Sequence, residues 1–228
     1  MIADLLVWYL VFVFSTTCHE AAHAWVAYRY GDLTAYSGGH VSLDPWPHIR
    51  RSPFGMVIIP VASFLMNNGA WMIGWASVPV DSRWASRNPG RAALMSFAGP
   101  LANLLLALVA FVTMLLLLDN GTLVRGYGSI GDIVTLPDGA DIRSPLGAVA
   151  RGLSVMLGLN VILGIFNLIP LPPLDGASVL EGGAPKLVGG FYARMREIPA
   201  AEILGMLAAW QISPYVIGPA LGFVVQFL

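Results

Sequence analysis

His19-Glu20-Ala21-Ala22-His23 sets two imidazoles four residues apart, with a carboxylate next to the first. Helical residues at i and i+4 share a face, so both imidazoles can reach one metal ion. Glu20 then stands beside that ion, where it can take a proton from a bound water. The spacing points to zinc and to metal-assisted hydrolysis, with His19 and His23 as ligands and Glu20 as the base. The motif alone is weak, since composition produces it by chance on the order of once in a few hundred chains. Its surroundings give it weight. From Leu5 to Tyr28 no other strongly polar side chain occurs, and about 20 apolar residues suffice to cross a bilayer. A charge at the centre of such a span costs at least about 3 kcal/mol on insertion scales. Two histidines and a glutamate placed there need partners. The bland alternative is a buried polar contact between helices.

A catalytic zinc usually takes three protein ligands and a water, so a third donor is required at similar depth. His40 and His48 lie in a polar, turn-rich segment. Asp175 ends an apolar run, follows Pro170, Pro172 and Pro173, and precedes Gly176. The prolines break the helix and let side chains and carbonyls turn toward a cavity, which makes Asp175 the best candidate. The competing reading is an N-cap for the next helix. Asn167, in the same apolar run, is either a partner for substrate or a hydrogen-bonding residue between helices.

The elements that must position these residues follow from composition. The chain has 228 residues, 57% hydrophobic and 11% charged. Soluble domains carry about 25% charged residues, so lipid must form part of the solvent. A net charge of −1 gives no reason to expect nucleic-acid binding. The single cysteine, Cys18, excludes an internal disulfide and argues against a cysteine-built metal site. The first apolar run lacks a basic leader, with Asp4 where Lys or Arg would stand, and is expected to be a retained span.

The pattern predicts an all-α polytopic membrane protein forming a single membrane-embedded domain over 1–228. Core spans are expected at about 5–28, 92–118 and 146–169. Residues 54–80 are apolar but broken at Asn67-Asn68-Gly69 into halves too short to cross. Basic residues favour the cytoplasmic side. Placing Arg29, Arg50, Arg51, Arg83, Arg87, Arg91, Lys186, Arg194 and Arg196 there accounts for nine of the twelve. Arg51 and Arg83 then share a side, so 54–80 must enter and return as a re-entrant hairpin; one kinked span is the alternative. Tyr36–Leu43 is expected to form a short β segment. Ala200–Leu228 is expected to be a C-terminal apolar helix or shallow hairpin.

Three motifs now stand in order: HEAAH in a span, Phe97-Ala98-Gly99-Pro100 opening another, and Asn167-Leu-Ile-Pro-Leu-Pro-Pro-Leu-Asp175-Gly176 closing a third. Together they resemble the site-2 protease family of intramembrane zinc metalloproteases. The stretch His40-Val-Ser-Leu-Asp44-Pro-Trp-Pro-His48-Ile49 resembles a compact prokaryotic branch without PDZ or cystathionine-synthase-type modules. The resemblance implies one zinc per chain held by His19, His23 and Asp175, Glu20 as base, and Asn167 near substrate or oxyanion. It implies single-span membrane proteins as substrates, cut within the bilayer of a prokaryotic cell membrane in regulated intramembrane proteolysis. His23 precedes Arg29 by six residues, about 9 Å of helix, so the site is expected nearer the cytoplasmic face. The rival is a zinc-binding scaffold or transporter without peptidase activity. A transporter should string ionisable residues along several spans, whereas here they cluster.

Overall fold

A computed structural model describes all of residues 1–228. The first apolar run forms α1, Ile2–Arg29. Its end is a Schellman arrangement: Gly31 takes φ 95°, Gly31 N–H donates to Tyr28 O, and Asp32 N–H donates to Ala27 O. Only glycine adopts that φ at little cost, which is why the helix stops there. Two short helices follow, α2 at Thr34–Ser37 and α3 at Pro45–Arg51. The expected strand at Tyr36–Leu43 is therefore absent. Tyr36 and Ser37 complete a helical turn, Gly39 is left-handed at φ 75°, and Ser42 Oγ accepts from Asp44 N–H. Local turn bonding has displaced extended backbone.

Residues 54–80 double back on themselves. A π turn at Phe54–Ile58 leads into α4, Ile59–Met66, and this unit meets α3 at 113°. Pro60 has no N–H to offer Met56, four residues earlier, so regular α bonding fails at that turn. The chain reverses at Asn67–Gly69 and comes back extended. Trp75 N–H donates to Gly55 O, and Ser63 Oγ accepts from Ile73 N–H at 3.0 Å.

The other long helices are α6, Pro89–Asp119, α7, Pro145–Asn167, and α10, Ala201–Val225; α5, Ser82–Arg87, precedes α6 and is capped by Asp81. With α1, these make four helices long and apolar enough to cross a membrane. The C-terminal stretch is thus one helix with Pro214 and Pro219 inside it. Pro145 at the first turn and Ser144 as N-cap start α7, a favoured pairing. Between α6 and α7 lies the sheet. Strands β1, Val124–Ser129, and β2, Asp132–Thr135, pair antiparallel with Arg125 opposite Val134. The Ser154 hydroxyl accepts from Ile133 and Val134 N–H, each at 3.1 Å, and so fastens the hairpin to α7. Two small helices, α8 at Asp175–Gly183 and α9 at Pro185–Glu197, join α7 to α10.

Packing uses small residues. The buried positions of α6 include Ala93, Ser96, Pro100, Asn103, Ala107, Ala110 and Met114, alternating steps of three and four. That stripe lets α1 and α7 approach closely, as in membrane bundles where lipid offers no hydrophobic drive between helices. Two cores result. One gathers Ala107, Met114, Leu123, Ile133, Leu157 and Leu228. The other joins Trp8 and Phe12 of α1 to Phe64 of α4, to Met72 of the returning segment and to Val155 and Leu159 of α7.

Candidate metal centre

His19, Glu20 and His23 are all buried on α1. His23 Nδ1–H donates to Met95 O at 2.7 Å, because a carbonyl only accepts. In the neutral ring its Nε2 is then the bare nitrogen. The tautomer of His19 follows from a longer chain of bonds. Asn160 Nδ2 donates to Met156 O and to Ser15 Oγ, both at 2.8 Å, so its Oδ1 is the acceptor for Asn103 Nδ2 at 2.8 Å. Asn103 therefore turns Oδ1 to His19 Nδ1 at 2.6 Å, and His19 Nδ1 must be the donor. His19 Nε2 is bare as well.

Both bare nitrogens face the carboxylate of Asp175. His19 Nε2 lies 2.9 Å from His23 Nε2 and 3.1 Å from Asp175 Oδ2, and His23 Nε2 lies 3.4 Å from the same oxygen. With both rings neutral, as metal ligands must be, none of the three has a proton to share, so they converge without bonding one another. A cation resolves that arrangement. Donor atoms on a tetrahedral zinc with bonds of about 2.0–2.1 Å are about 3.3 Å apart, which these separations approach within a few tenths of an ångström. Two imidazole nitrogens and one carboxylate oxygen also suit zinc chemically, and the ring N–H groups are held by acceptors that fix their orientation. Asp175 is the first residue of α8, and the cap position is Leu174. The N-cap reading is thus displaced: its carboxylate is spent on the histidines.

Gly99 of α6 backs this centre. A Cβ at 99 would stand 2.6 Å from His19 Nε2, inside any real contact distance. The Gly99-Pro100 pair therefore permits helix approach at the one place where the ligands need it.

A cavity of about 430 Å³ opens beside the centre. Glu20, Asn167 and Asp175 line it, with the extended residues 73–78 opposite. Asn167 Nδ2 donates to Leu163 O of its own helix at 3.0 Å, which uses one of its two amide protons. His40 and His48 lie elsewhere. Their rings meet edge to face with centroids 5.3 Å apart, and burial pushes both below the ordinary imidazole range. His48 Nε2 donates to Ser42 O at 3.2 Å. Cys18 is half-buried and stands outside the group whose donor atoms could hold a metal ion, His19, His23 and Asp175.

Asn103, Asn160, Ser15 and the Met95 carbonyl were not legible as parts of the centre. One signal was present: Asn103 is the polar member of the small-residue stripe on α6.

The profile of Peptidase family M50 matches residues 7–198. A Bacillus subtilis protein named "Putative zinc metalloprotease YwhC" is 34% identical over 219 residues, 93% of this chain and 84% of that protein. A Mycobacterium tuberculosis protein named "Putative zinc metalloprotease Rip2" is 28% identical over 168 residues, 73% of this chain. The match covers 53% of that longer protein. No solved structure matches the chain. With the ordered motifs, the convergent acceptor atoms and these relatives together, the chain belongs to peptidase family M50, the site-2 protease family, and is a multi-pass membrane zinc metalloprotease.

Proposed function

We propose that this metalloprotease is an intramembrane endopeptidase that hydrolyses peptide bonds in or near transmembrane segments of single-span membrane proteins. One observation carries the reading. The metal centre and a length of unpaired extended backbone share one cavity within the helical bundle. Residues 76–80 make no backbone hydrogen bond inside the chain, yet they line the cavity at Ala76, Ser77, Val78 and Val80. These residues are partly exposed, and their unpaired N–H and C=O groups form an edge that can accept a strand. A substrate helix must unwind before its carbonyls can be attacked, and unwinding exposes the groups that such an edge pairs.

One zinc per chain, held by His19, His23 and Asp175, would supply a Lewis acid and make water nucleophilic near neutral pH. The chain's own groups do the rest. The Glu20 carboxylate takes the proton of the attacking water and returns it to the departing amine. The remaining amide proton of Asn167 donates to the scissile carbonyl oxygen as charge builds there. The returning strand holds the unwound segment extended across the metal.

The basic residues favour a cavity facing the cytoplasm of a prokaryotic cell, and residues 1–228 act as one membrane-embedded peptidase domain. Such an enzyme fits regulated intramembrane proteolysis. The test is cleavage of a single-span substrate in vesicles by wild type and by Glu20→Gln. We expect the variant to keep its zinc and to cut at least about 100-fold more slowly. Equal cutting would refute the assignment of the base. No cutting by wild type across varied spans would favour a zinc-binding scaffold.

A further inference from the structure

Resting on the reading that residues 76–80 pair with substrate, we propose that Asp32 is a positioning residue that fixes this segment's distance from the metal. Asp32 is 3% exposed, although it lies just beyond α1 in a polar segment. Its backbone is rigid with respect to α1, because its N–H closes the Schellman arrangement on Ala27 O. Its carboxylate is divided between two donors. Oδ1 accepts from Thr34 N–H at 2.9 Å, and Oδ2 accepts from Asp81 N–H at 2.9 Å. Asp81 follows Val80, the last cavity-lining residue of the strand. The helix that carries His19, Glu20 and His23 is thus tied by one side chain to the end of the strand that would carry the substrate.

The opposite end is tied separately. Ser63 Oγ accepts from Ile73 N–H at 3.0 Å and also donates to Pro60 O at 3.0 Å. Trp75 N–H adds a bond to Gly55 O, and from there to Asp81 the backbone is free, so the placement of residues 76–80 depends on their ends. Loosening the Asp32 end leaves the segment held at its start by Ser63 and Gly55, and beyond its end only by Trp84 Nε1–H on Tyr30 O, three residues past Asp81. Register between substrate and metal would then be set less tightly.

The charge matters to the tie. Burial opposes ionisation of Asp32, but the Thr34 and Asp81 N–H donors outweigh it and hold the carboxyl below the ordinary carboxylate range. The group is ionised at neutral pH, and hydrogen bonds to an ionised acceptor are the stronger kind. An asparagine has the same shape but one acceptor oxygen. Its amide nitrogen would confront whichever N–H the oxygen did not take.

The experiment compares wild type, Asp32→Asn and Asp32→Glu in vesicles on one single-span substrate. It reads zinc content, kcat and KM separately, and the cut positions by mass spectrometry. Disulfide trapping of a substrate cysteine by Ser77→Cys, in a Cys18→Ala background, reports strand contact directly. For Asp32→Asn we expect full zinc, a rise in KM of about tenfold, weaker trapping, and cuts spread over neighbouring bonds. For Asp32→Glu we expect partial recovery of both KM and cut position. A merely structural role would lower zinc content or yield without scattering the cuts, and that result overturns the proposal. Wild-type KM, trapping and a single cut site in Asp32→Asn overturn it too. Absence of trapping in the parent enzyme would instead refute the strand reading.

Discussion

The metal centre and the irregular segment facing it follow opposite rules. Around the metal, the donors and acceptors named above are matched: Asn160 orients Asn103, Asn103 orients His19, and Met95 orients His23. Across the cavity, residues 76–80 leave their backbone groups unmatched. The difference separates two tasks. Ligands must be held in one geometry before any substrate arrives, since misplacement forfeits both metal affinity and rate. A surface that receives an unwound segment must keep bonds in reserve for it.

Filling the matched side should do the most damage. Gly99→Ala puts a methyl against both bare nitrogens, and we expect metal analysis of the purified protein to show most of the zinc gone and cleavage undetectable. Retained zinc with normal cleavage would mean the helices can part without cost. Asn103→Ala removes the acceptor that fixes His19. A competition assay with a chelator should show zinc affinity reduced about 10- to 100-fold, with kcat per bound zinc changed less. The unmatched side should respond most mildly and in a pattern. Ala76→Pro, Ser77→Pro and Val78→Pro each delete one N–H, and alternate residues of a strand point these groups to opposite edges. Two of the three should therefore behave alike, with the more harmful set raising KM about tenfold at full zinc content. Equal effects at all three positions would remove the case for strand pairing.

Much of this contrast could be read from the sequence, and the limits have physical causes. His19, Glu20 and His23 were legible because polar groups are conspicuous in an apolar run. Asp175 was legible because three prolines forced a break beside it. The reversal at Asn67–Gly69 followed from the side on which the arginines lie. The strand at Tyr36–Leu43 was misplaced, since β-compatible residues there yielded to Asx-type turn bonding and a helical cap. The orienting network was missed for another reason. In lipid both faces of α6 are apolar, so hydrophobic periodicity carries no information about burial. Side-chain size does, and Asn103 stands in register with Ala93, Ser96, Ala107 and Ala110. Asn160 is harder, because its role depends on Ser15, 145 residues away.

That long-range wiring has a consequence for the order in which the protein can be made. His19 finds Asn103 across 84 residues and Asp175 across 156. At an elongation rate of about 20 residues per second, α1 waits roughly 4 s for Asn103 and roughly twice that for Asp175. During that interval its histidines and glutamate stand in the bilayer, or in the insertion machinery, uncompensated. The ion can be captured in its finished coordination only after α8 has emerged. Metal loading would therefore come late in biogenesis, and zinc would act as a clasp that closes residues 19–175 into one loop.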